Sequence, residues 1–442
     1  MRLAQSLAHT ANVFEPKTFC DFRKDLDPAW VLQALEDTGT VSVRRRRLPA
    51  EEMIWVVIGM ALMRDRSIAD IANMLAISRD EKSAKRVSSS AATQSRMRLG
   101  KQPLEWLFAQ SASVWAHRSA AEDRFCGLSL YGLDGTSLRV PDSPQNAESF
   151  GYAHSVRGDS AYPMVRLVAL MALRSHLLAG ASFGRYGDGE YTYAEDLWGE
   201  LPNNSLCIVD RNFYSAKLML RLHNEQSNRH WLIRCKQKSA MRTLKKLGEG
   251  DYLVELKVSS VARKKDPTLP KTFTARMIEY QRKGFRPQRL LTSLCDNEKY
   301  KTNAIVALYH ERWELELGYA EIKTQLLDRR ESIRCKSQEG VQQEIWGMLL
   351  AYNLVRLYMQ RVARTANLPP TRVSFIAALH FIREEWWLDS IPGFSPGSLP
   401  RHLQRLSEQM SRFILPERRS ERSFPRAVKI KMSSYPRKRR TK

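Results

Sequence analysis

The sequence predicts a mixed-sheet α/β domain set between helical segments. Between about Gly127 and Leu294, β-rich runs alternate with helical ones, the pattern of strands with helices packed against them. One run, Leu206-Cys207-Ile208-Val209, is apolar throughout, as in a strand covered on both faces. The flanks read as helix instead, including a strongly apolar helix from Ala50 to Met63 and a long one from about Val341 to Val362. A chain of 442 residues has room for two or three domains.

Residues 1 to about 120 read as helical. After the apolar helix, Ser67 opens a capped segment through Leu75, and Ser88 to Arg98 forms a third that carries Arg96 and Arg98. Two short helices followed by a basic one resemble a helix-turn-helix, in which the later helix enters the major groove. The run Arg44-Arg45-Arg46-Arg47 is either a solvated loop or a phosphate contact. From Gly127 the texture becomes β-rich. Leu128 to Asp134 is a short strand ending in an Asp-Gly turn signal, and Pro163 to Leu173 and Leu177 to Phe183 are strands separated by Arg174-Ser175-His176. Tyr193 to Trp198 is a helix, another helix starts at Ser215, and His230 to Arg234 is a buried strand.

Residues 236 to about 289 interrupt this core with a β-rich segment crowded with Lys and Arg: Tyr252 to Val261, Phe273 to Tyr280 and Leu290 to Leu294 are the strand-like runs in and after it. A helix covers Tyr309 to Leu327, with Ile305, Leu308, Leu315, Tyr319, Ile322 and Leu326 as its apolar stripe. Beyond Leu368-Pro369-Pro370 comes a helical segment with Phe381, Trp386 and Trp387, a candidate interface. From Glu417 onward eleven Lys or Arg face two Glu, a tail expected to be disordered and phosphate-binding.

The formal net charge of +24 points to a polyanionic partner, nucleic acid before anionic membrane. The longest apolar run, Ile54 to Met63, is too short to span a bilayer, and the N-terminus lacks the apolar core of a signal peptide. An intracellular, cytoplasmic protein is expected. Cys20, Cys126, Cys207, Cys235, Cys295 and Cys335 are scattered without a CxxC pair, which argues against zinc fingers and disulfide frameworks and for reduced, mostly buried thiols.

Three carboxylates carry the chemistry. Asp134 and Asp210 each close an apolar strand, where open α/β sheets gather ligands. A charged Asp at such a place is costly unless it is hydrogen-bonded, paired or bound to a cation. On the Tyr309–Leu327 helix, Tyr309, Arg312, Glu316 and Lys323 sit at offsets that fall within an arc of about 60° at ~100° per residue. With Glu316 the aspartates suggest a site for a hard divalent cation such as magnesium. Arg312 and Lys323 would place cations beside developing phosphate charge, and Tyr309 would stack on or hydrogen-bond a displaced nucleotide. Glu311, Glu314 and Glu321 fall off that face and read as structural or solvated, as do His154 and His176, which lack ligand spacing.

Tyr309-x2-Arg312-x3-Glu316-x6-Lys323 has the spacing of the signature of insertion sequence 4 family transposases. Leu290-Leu291-Thr292-Ser293-Leu294 precedes it, and Asp134-Gly135-Thr136 and Asp210-Arg211-Asn212-Phe213 resemble the family's first and second acidic motifs. The resemblance covers roughly Leu128 to Asp328. It implies a ribonuclease H-like α/β catalytic core with a β-rich insertion, an all-α N-terminal domain and a helical C-terminal region. The corresponding layout is a DNA-binding domain at 1–120, a catalytic domain at 121–370 with its insertion at about 236–289, a possible dimerisation region at 371–416 and a basic tail at 417–442. It further implies that Asp134, Asp210 and Glu316 bind two Mg2+ ions, with Mn2+ as a possible substitute. Arg211, Tyr309, Arg312 and Lys323 would hold DNA. Relatives resembling this chain cut at terminal inverted repeats, can form a hairpin and join the 3′-hydroxyl to target DNA as a homodimer on paired ends. Hairpin-forming relatives carry a Trp in the insertion, whereas this chain has none between Trp231 and Trp313, leaving Tyr280 or Phe285 as substitutes. The rival readings are a DNA-binding repressor without catalysis, against which the intact triad argues, and a nuclease without strand transfer.

Overall fold

The computed structural model describes residues 25–42, 48–77, 87–154, 158–223, 227–235, 241–282, 285–328, 332–389 and 415. The Arg44–Arg47 run, Cys20, the side chains of Trp386 and Trp387 and the tail from Glu417 lie outside what is described. In chain order come helices α1 (Pro28–Asp37), α2 (Ala50–Leu62), α3 (Ile68–Ile77), α4 (Ser89–Leu99) and α5 (Gln102–Glu122). Strand β1 (Ser129–Arg139), helix α6 (Pro144–Phe150), strands β2 (Met164–Ala172) and β3 (Leu178–Arg185) and helix α7 (Glu190–Leu197) follow. Next are β4 (Ser205–Val209), α8 (Ala216–Leu222), β5 (Arg229–Arg234), β6 (Met241–Gly248), β7 (Asp251–Lys257), α9 (Ser260–Lys265), β8 (Thr272–Tyr280) and β9 (Gln288–Thr292). Helices α10 (Thr302–His310), α11 (Trp313–Ala320), α12 (Gln338–Thr365) and α13 (Phe375–Asp389) complete the described chain. This is a mixed α/β protein that divides into two units. Of the described residues, one comprises those up to Ala112, Ser143–Asn146 and those from Ala320 to Leu415; the other comprises Ser113–Asp142 and Ala147–Tyr319.

The second unit is built on one nine-stranded sheet in the order β3-β2-β1-β4-β5-β9-β8-β7-β6. β1, β4 and β5 run parallel, and the remaining neighbours are antiparallel. All five residues of β4 are buried, which is why its sequence is apolar without alternation. The expected interruption after β5 instead extends the sheet: β9 pairs with β5 and carries β8, β7 and β6 outward. β6 was not expected, because its exposed residues Arg242 to Lys246 show no apolar period and only the ladder with β7 makes it a strand. Its lysines also suit an edge strand, where charge discourages pairing with another chain. The alternation read through Val261 stops at Lys257. Ser259 then caps α9, its Oγ accepting the Ala262 N–H at 3.1 Å.

A buried ion pair holds this extension. Arg276 on β8 donates from Nε to Asp251 Oδ1 at 2.8 Å and from Nη2 to Oδ2 at 2.5 Å. Its Nη1 reaches the Tyr300 carbonyl at 2.7 Å, and the Thr302 hydroxyl adds a bond to Asp251 Oδ2 at 2.7 Å. Both partners are essentially inaccessible to water, so each charge depends on the other.

In the first unit α2 is buried on all sides, with only Glu51 of its thirteen residues outside that class, and α12 crosses it. The crossing is close. A Cβ at Gly347 of α12 would meet Val57 Cγ1 at 2.6 Å and the Val57 carbonyl oxygen at 3.3 Å. Gly347→Val is therefore expected to cost about 1–3 kcal/mol by overpacking. Thermal denaturation followed by circular dichroism should show a lower midpoint, and an unchanged one contradicts this close crossing. Glu344, also on α12, accepts from Arg64 Nη1 at 2.7 Å and from the Arg334 N–H at 3.1 Å. Burial pushes its carboxyl up, but Arg64 and Arg96 more than offset this and hold it below the usual carboxylate range.

The three expected N-terminal helices are present as α2, α3 and α4, with Ser88 Oγ accepting the Ala91 N–H at 3.2 Å as the cap of α4. Arg96 departs from its expected role on a DNA-facing helix: it is buried, donating to Gln343 Oε1 at 2.5 Å and to the Gly340 carbonyl at 2.8 Å. Arg98 remains exposed. The thiols divide more evenly than expected. Cys207 and Cys235 are buried, Cys335 is half-buried, and Cys126 and Cys295 are exposed; these five described cysteines are thiols, not disulfides. No described helix is long and apolar enough to cross a membrane.

Candidate active site

β1 outlasts its parallel neighbour. The last pair between β1 and β4 is Leu133 with Val209, so Asp134 and Asp210 each stand one residue past it on adjacent strands. Strands in a ladder lie about 4.8 Å apart, which places the two aspartates side by side at the carboxyl end of β4. Asp134-Gly135 is thus not the turn its sequence suggests. The strand continues to Arg139, with Asp134 opposite Ala169 and Gly135 opposite Val168 in the ladder with β2. Glycine at 135 instead leaves room for a neighbouring side chain: a Cβ there would lie 2.5 Å from the Glu190 carboxyl carbon and displace it. The Gly135 N–H donates back to Asp134 Oδ1 at 2.8 Å and orients the carboxyl group. After Asp210 the chain turns through a short 3-10 segment, Arg211–Phe213, that buries Phe213 and leaves Arg211 exposed.

The helix expected over Tyr309 to Leu327 is broken. α10 ends at His310, α11 starts at Trp313, and the chain continues into a π-helical turn, Glu321–Leu326. Through the break the amides bond three residues back, Arg312 to Tyr309 at 3.2 Å, Glu314 to Glu311 at 2.9 Å and Leu315 to Arg312 at 3.1 Å. A uniform 100° step does not carry across such a break or a widened π-turn, but Arg312 and Glu316 still share a face, joined by a hydrogen bond four residues apart. Residues at and just after the break have tertiary partners. Arg174 Nε and Nη2 donate to the two Glu311 carboxyl oxygens at 3.0 and 2.9 Å, and His176 pairs with Glu314 at 2.8 Å. These two carboxylates are structural, as expected of them. The apolar stripe is borne out, with Ile305, Leu308, Leu315, Tyr319, Ile322 and Leu326 all buried. Leu315 closes on Gly132 of β1, where a Cβ would approach Leu315 Cδ1 to 2.7 Å.

Arg312 stands between two of the three carboxylates. Its Nη2 donates to Glu316 Oε1 at 3.0 Å, and its Nη1 lies 3.8 Å from Asp134 Oδ2. Burial pushes the Asp134 carboxyl up to about 6, the charges of Asp210 and Glu190 adding to the rise while the Gly135 N–H and Arg312 oppose it. Burial pushes the Tyr309 hydroxyl up to about 12. With Tyr309 only 6% exposed, its ring offers little face for stacking on a nucleotide, and the hydroxyl is the part left to act. Lys323 lies on the π-helical turn, half-buried, beyond the unit boundary at Ala320.

Hard carboxylate oxygens beside one another, with Asp134 disfavoured as an anion by burial and by like charges, are a donor set whose cost a divalent cation relieves. The residues fit such an ion in chemistry. Among the described residues no group of three His, Cys, Asp or Glu side chains is closed to metal-binding distance, and Glu316 is engaged with Arg312. Two neighbours escaped the sequence reading. Glu190, at the start of α7, is held by Arg166 Nη1 at 2.9 Å and adds a fourth carboxylate near Asp134. Tyr319, read only as an apolar position, bonds the Asp134 carbonyl at 2.5 Å through its hydroxyl. Neither has a local sequence signal, since both depend on contacts far apart in the chain.

The family model for the insertion element 4 transposase N-terminal region matches residues 16–109, and that for the transposase DDE domain matches residues 127–354. Transposase InsG for insertion sequence element IS4 of Escherichia coli is 38% identical over 412 residues, spanning 93% of this chain and 92% of the relative. The putative transposase InsZ of the same species is 37% identical over 214 residues, 48% of this chain and 70% of that protein. A putative transposase for insertion sequence element IS4SA of Synechocystis is 24% identical over 213 residues, 46% of this chain and 57% of that one. The chain belongs to the insertion sequence 4 family of DDE transposases.

Proposed function

We propose that this transposase moves its element by metal-dependent cut-and-paste transposition, cleaving at terminal inverted repeats and joining the 3′-hydroxyl ends to target DNA. The single observation that carries the reading is the pair Asp134 and Asp210 on adjacent strands, with Glu316 tied to Asp134 through Arg312. In this reading β3-β2-β1-β4-β5 is a ribonuclease H-like sheet, and β6 to β8 form the β-rich insertion. Asp134, Asp210 and Glu316 would hold the divalent ions, two Mg2+ with Mn2+ as substitute. Bound there, such ions activate a water or 3′-hydroxyl and stabilise the leaving oxygen of an in-line displacement.

The chain's own residues supply the remainder. Arg312 keeps a cation beside the carboxylates, where it can meet phosphate oxygens as charge develops. The Tyr309 hydroxyl, kept protonated by burial, serves as a donor. Arg211 and Lys323 are further DNA contacts. A cavity of about 320 Å³ lined by Arg211, Arg234, Arg286 and Arg289 supports the DNA-binding reading, since only Glu279 on its wall opposes four guanidinium groups. A hairpin intermediate belongs to the same proposal. Tyr280 meets His310 edge-on at 5.9 Å, bringing an aromatic ring of the insertion to the residue beside Tyr309. We assign DNA binding to residues 1–120, catalysis to 121–370 and dimerisation on paired ends to 371–416, with the basic tail at 417–442 as a further phosphate contact.

The test is to incubate the full chain with labelled terminal-repeat duplex, a target plasmid and magnesium. Cut ends joined to the plasmid are expected. Binding without cleavage would leave a repressor, and cleavage without joining would leave a nuclease.

A further inference from the structure

The helix that carries Glu316 and the strand that carries Asp134 meet at one hydroxyl. Tyr319 donates to the main-chain carbonyl of Asp134 at 2.5 Å and accepts the Ala169 N–H at 3.2 Å. Asp134 and Ala169 are opposite residues in the ladder between β1 and β2. A side chain from α11 therefore reaches the ladder at the register position of the aspartate. Both Tyr319 and Ala169 are buried. Leu315 already supplies apolar contact between this helix and β1, a task that needs no hydroxyl. The hydroxyl does something the apolar contact cannot: it adds a bond from the helix to a carbonyl whose second acceptor position the β1–β2 ladder leaves over, so it ties α11 to the strand.

We propose that Tyr319 is a positioning residue that fixes the backbone of Asp134 relative to the helix bearing Glu316. The inference rests on the transposase reading above. Glu316 and Tyr319 are three residues apart on α11 and share one side of it, so a shift of the helix moves both. The Asp134 carboxyl is oriented by the amide of the next residue, so the position of the main chain at 134 sets the position of the carboxylate. At its other end α11 is held by the pair His176 with Glu314. The bridge thus sets the separation of two carboxylates that come from different elements and are 182 residues apart in the chain (316 − 134).

The experiment compares the wild type with Tyr319→Phe in the full chain, reading thermal stability, Mn2+ affinity by titration calorimetry, and kcat and KM for cleavage of terminal-repeat DNA. A folded Tyr319→Phe is expected to bind Mn2+ about tenfold more weakly and to lose about tenfold in kcat, the scale of lost outer contacts at metal sites, with KM for DNA unchanged. Replacement of Tyr319 by para-aminophenylalanine restores an N–H donor toward the Asp134 carbonyl and should recover most of both losses. A folded Tyr319→Phe with wild-type Mn2+ affinity and kcat overturns the proposal. If Tyr319→Phe does not fold, the para-amino variant decides: Mn2+ affinity near wild type supports the bridge, and a loss as large as that expected for phenylalanine overturns it. A wild-type chain that binds Mn2+ but cuts no DNA defeats the transposase reading alone, because the Mn2+ comparison still decides the role of Tyr319.

Discussion

Glu316→Gln is expected to lower magnesium-dependent cleavage of terminal-repeat DNA by about 10³-fold, because a neutral amide is a poorer ligand for a divalent cation than a carboxylate and losing one group that supports transition-state charge stabilisation costs up to about that much. The substitution keeps the volume and removes the charge. The amide oxygen can still accept the bond from Arg312 Nη2, now 3.0 Å away, so α11 has no reason to move. The Glu316 side chain is 43% exposed, and a neutral replacement there should change stability by no more than about 0.5 kcal/mol. DNA binding depends on the Lys and Arg excess and should be spared. A gel-shift and a cleavage assay on the same preparation separate the two effects. Cleavage at the wild-type rate would remove Glu316 from the active site.

Arg276→Met should produce the largest loss of stability. The side chain is fully buried, and it donates to both oxygens of Asp251, which is itself only 3% exposed. Removing the guanidinium strands a buried carboxylate, a change that typically costs about 3–5 kcal/mol. It also frees the Tyr300 carbonyl, which Arg276 Nη1 now satisfies at 2.7 Å. The double replacement Arg276→Met with Asp251→Leu removes both charges and should recover much of the loss, since apolar replacement of a whole buried pair is often near neutral. Urea denaturation of the three proteins checks this. A single variant as stable as the wild type would mean that the pair is not a buried dependency.

The sequence made the ends of the central strands legible because those signals are local. Leu206 to Val209 reads as a doubly covered strand and is one, and Asp210 closes it as expected. The spacing of Tyr309, Arg312, Glu316 and Lys323 carried the family, although the helix expected to hold all four is broken at Glu311 and Arg312. Glu311, at that break, bonds Arg174, 137 residues away, and no helical period could reveal such a contact. Asp134-Gly135 misled for the same reason. As a dipeptide it signals a turn, but Gly135 lies within a strand, beside the Glu190 side chain of another element. Arg96 looked available to DNA because its partners, Gln343 and Gly340, lie more than 240 residues further on. The hydroxyl of Tyr319 fell within an apolar pattern that fully explained the ring and hid the polar atom.

The placement of Asp134, Asp210 and Glu316 as ligands of one metal-dependent centre is tested most directly by changing the softness of a ligand. Asp210→Cys replaces a hard oxygen with a thiolate, which disfavours Mg2+ more than it disfavours the softer Mn2+. Cleavage of terminal-repeat DNA by this variant is predicted to fail in magnesium and to return in manganese. Cleavage by Asp210→Cys in magnesium at the wild-type rate would contradict a metal site at Asp210.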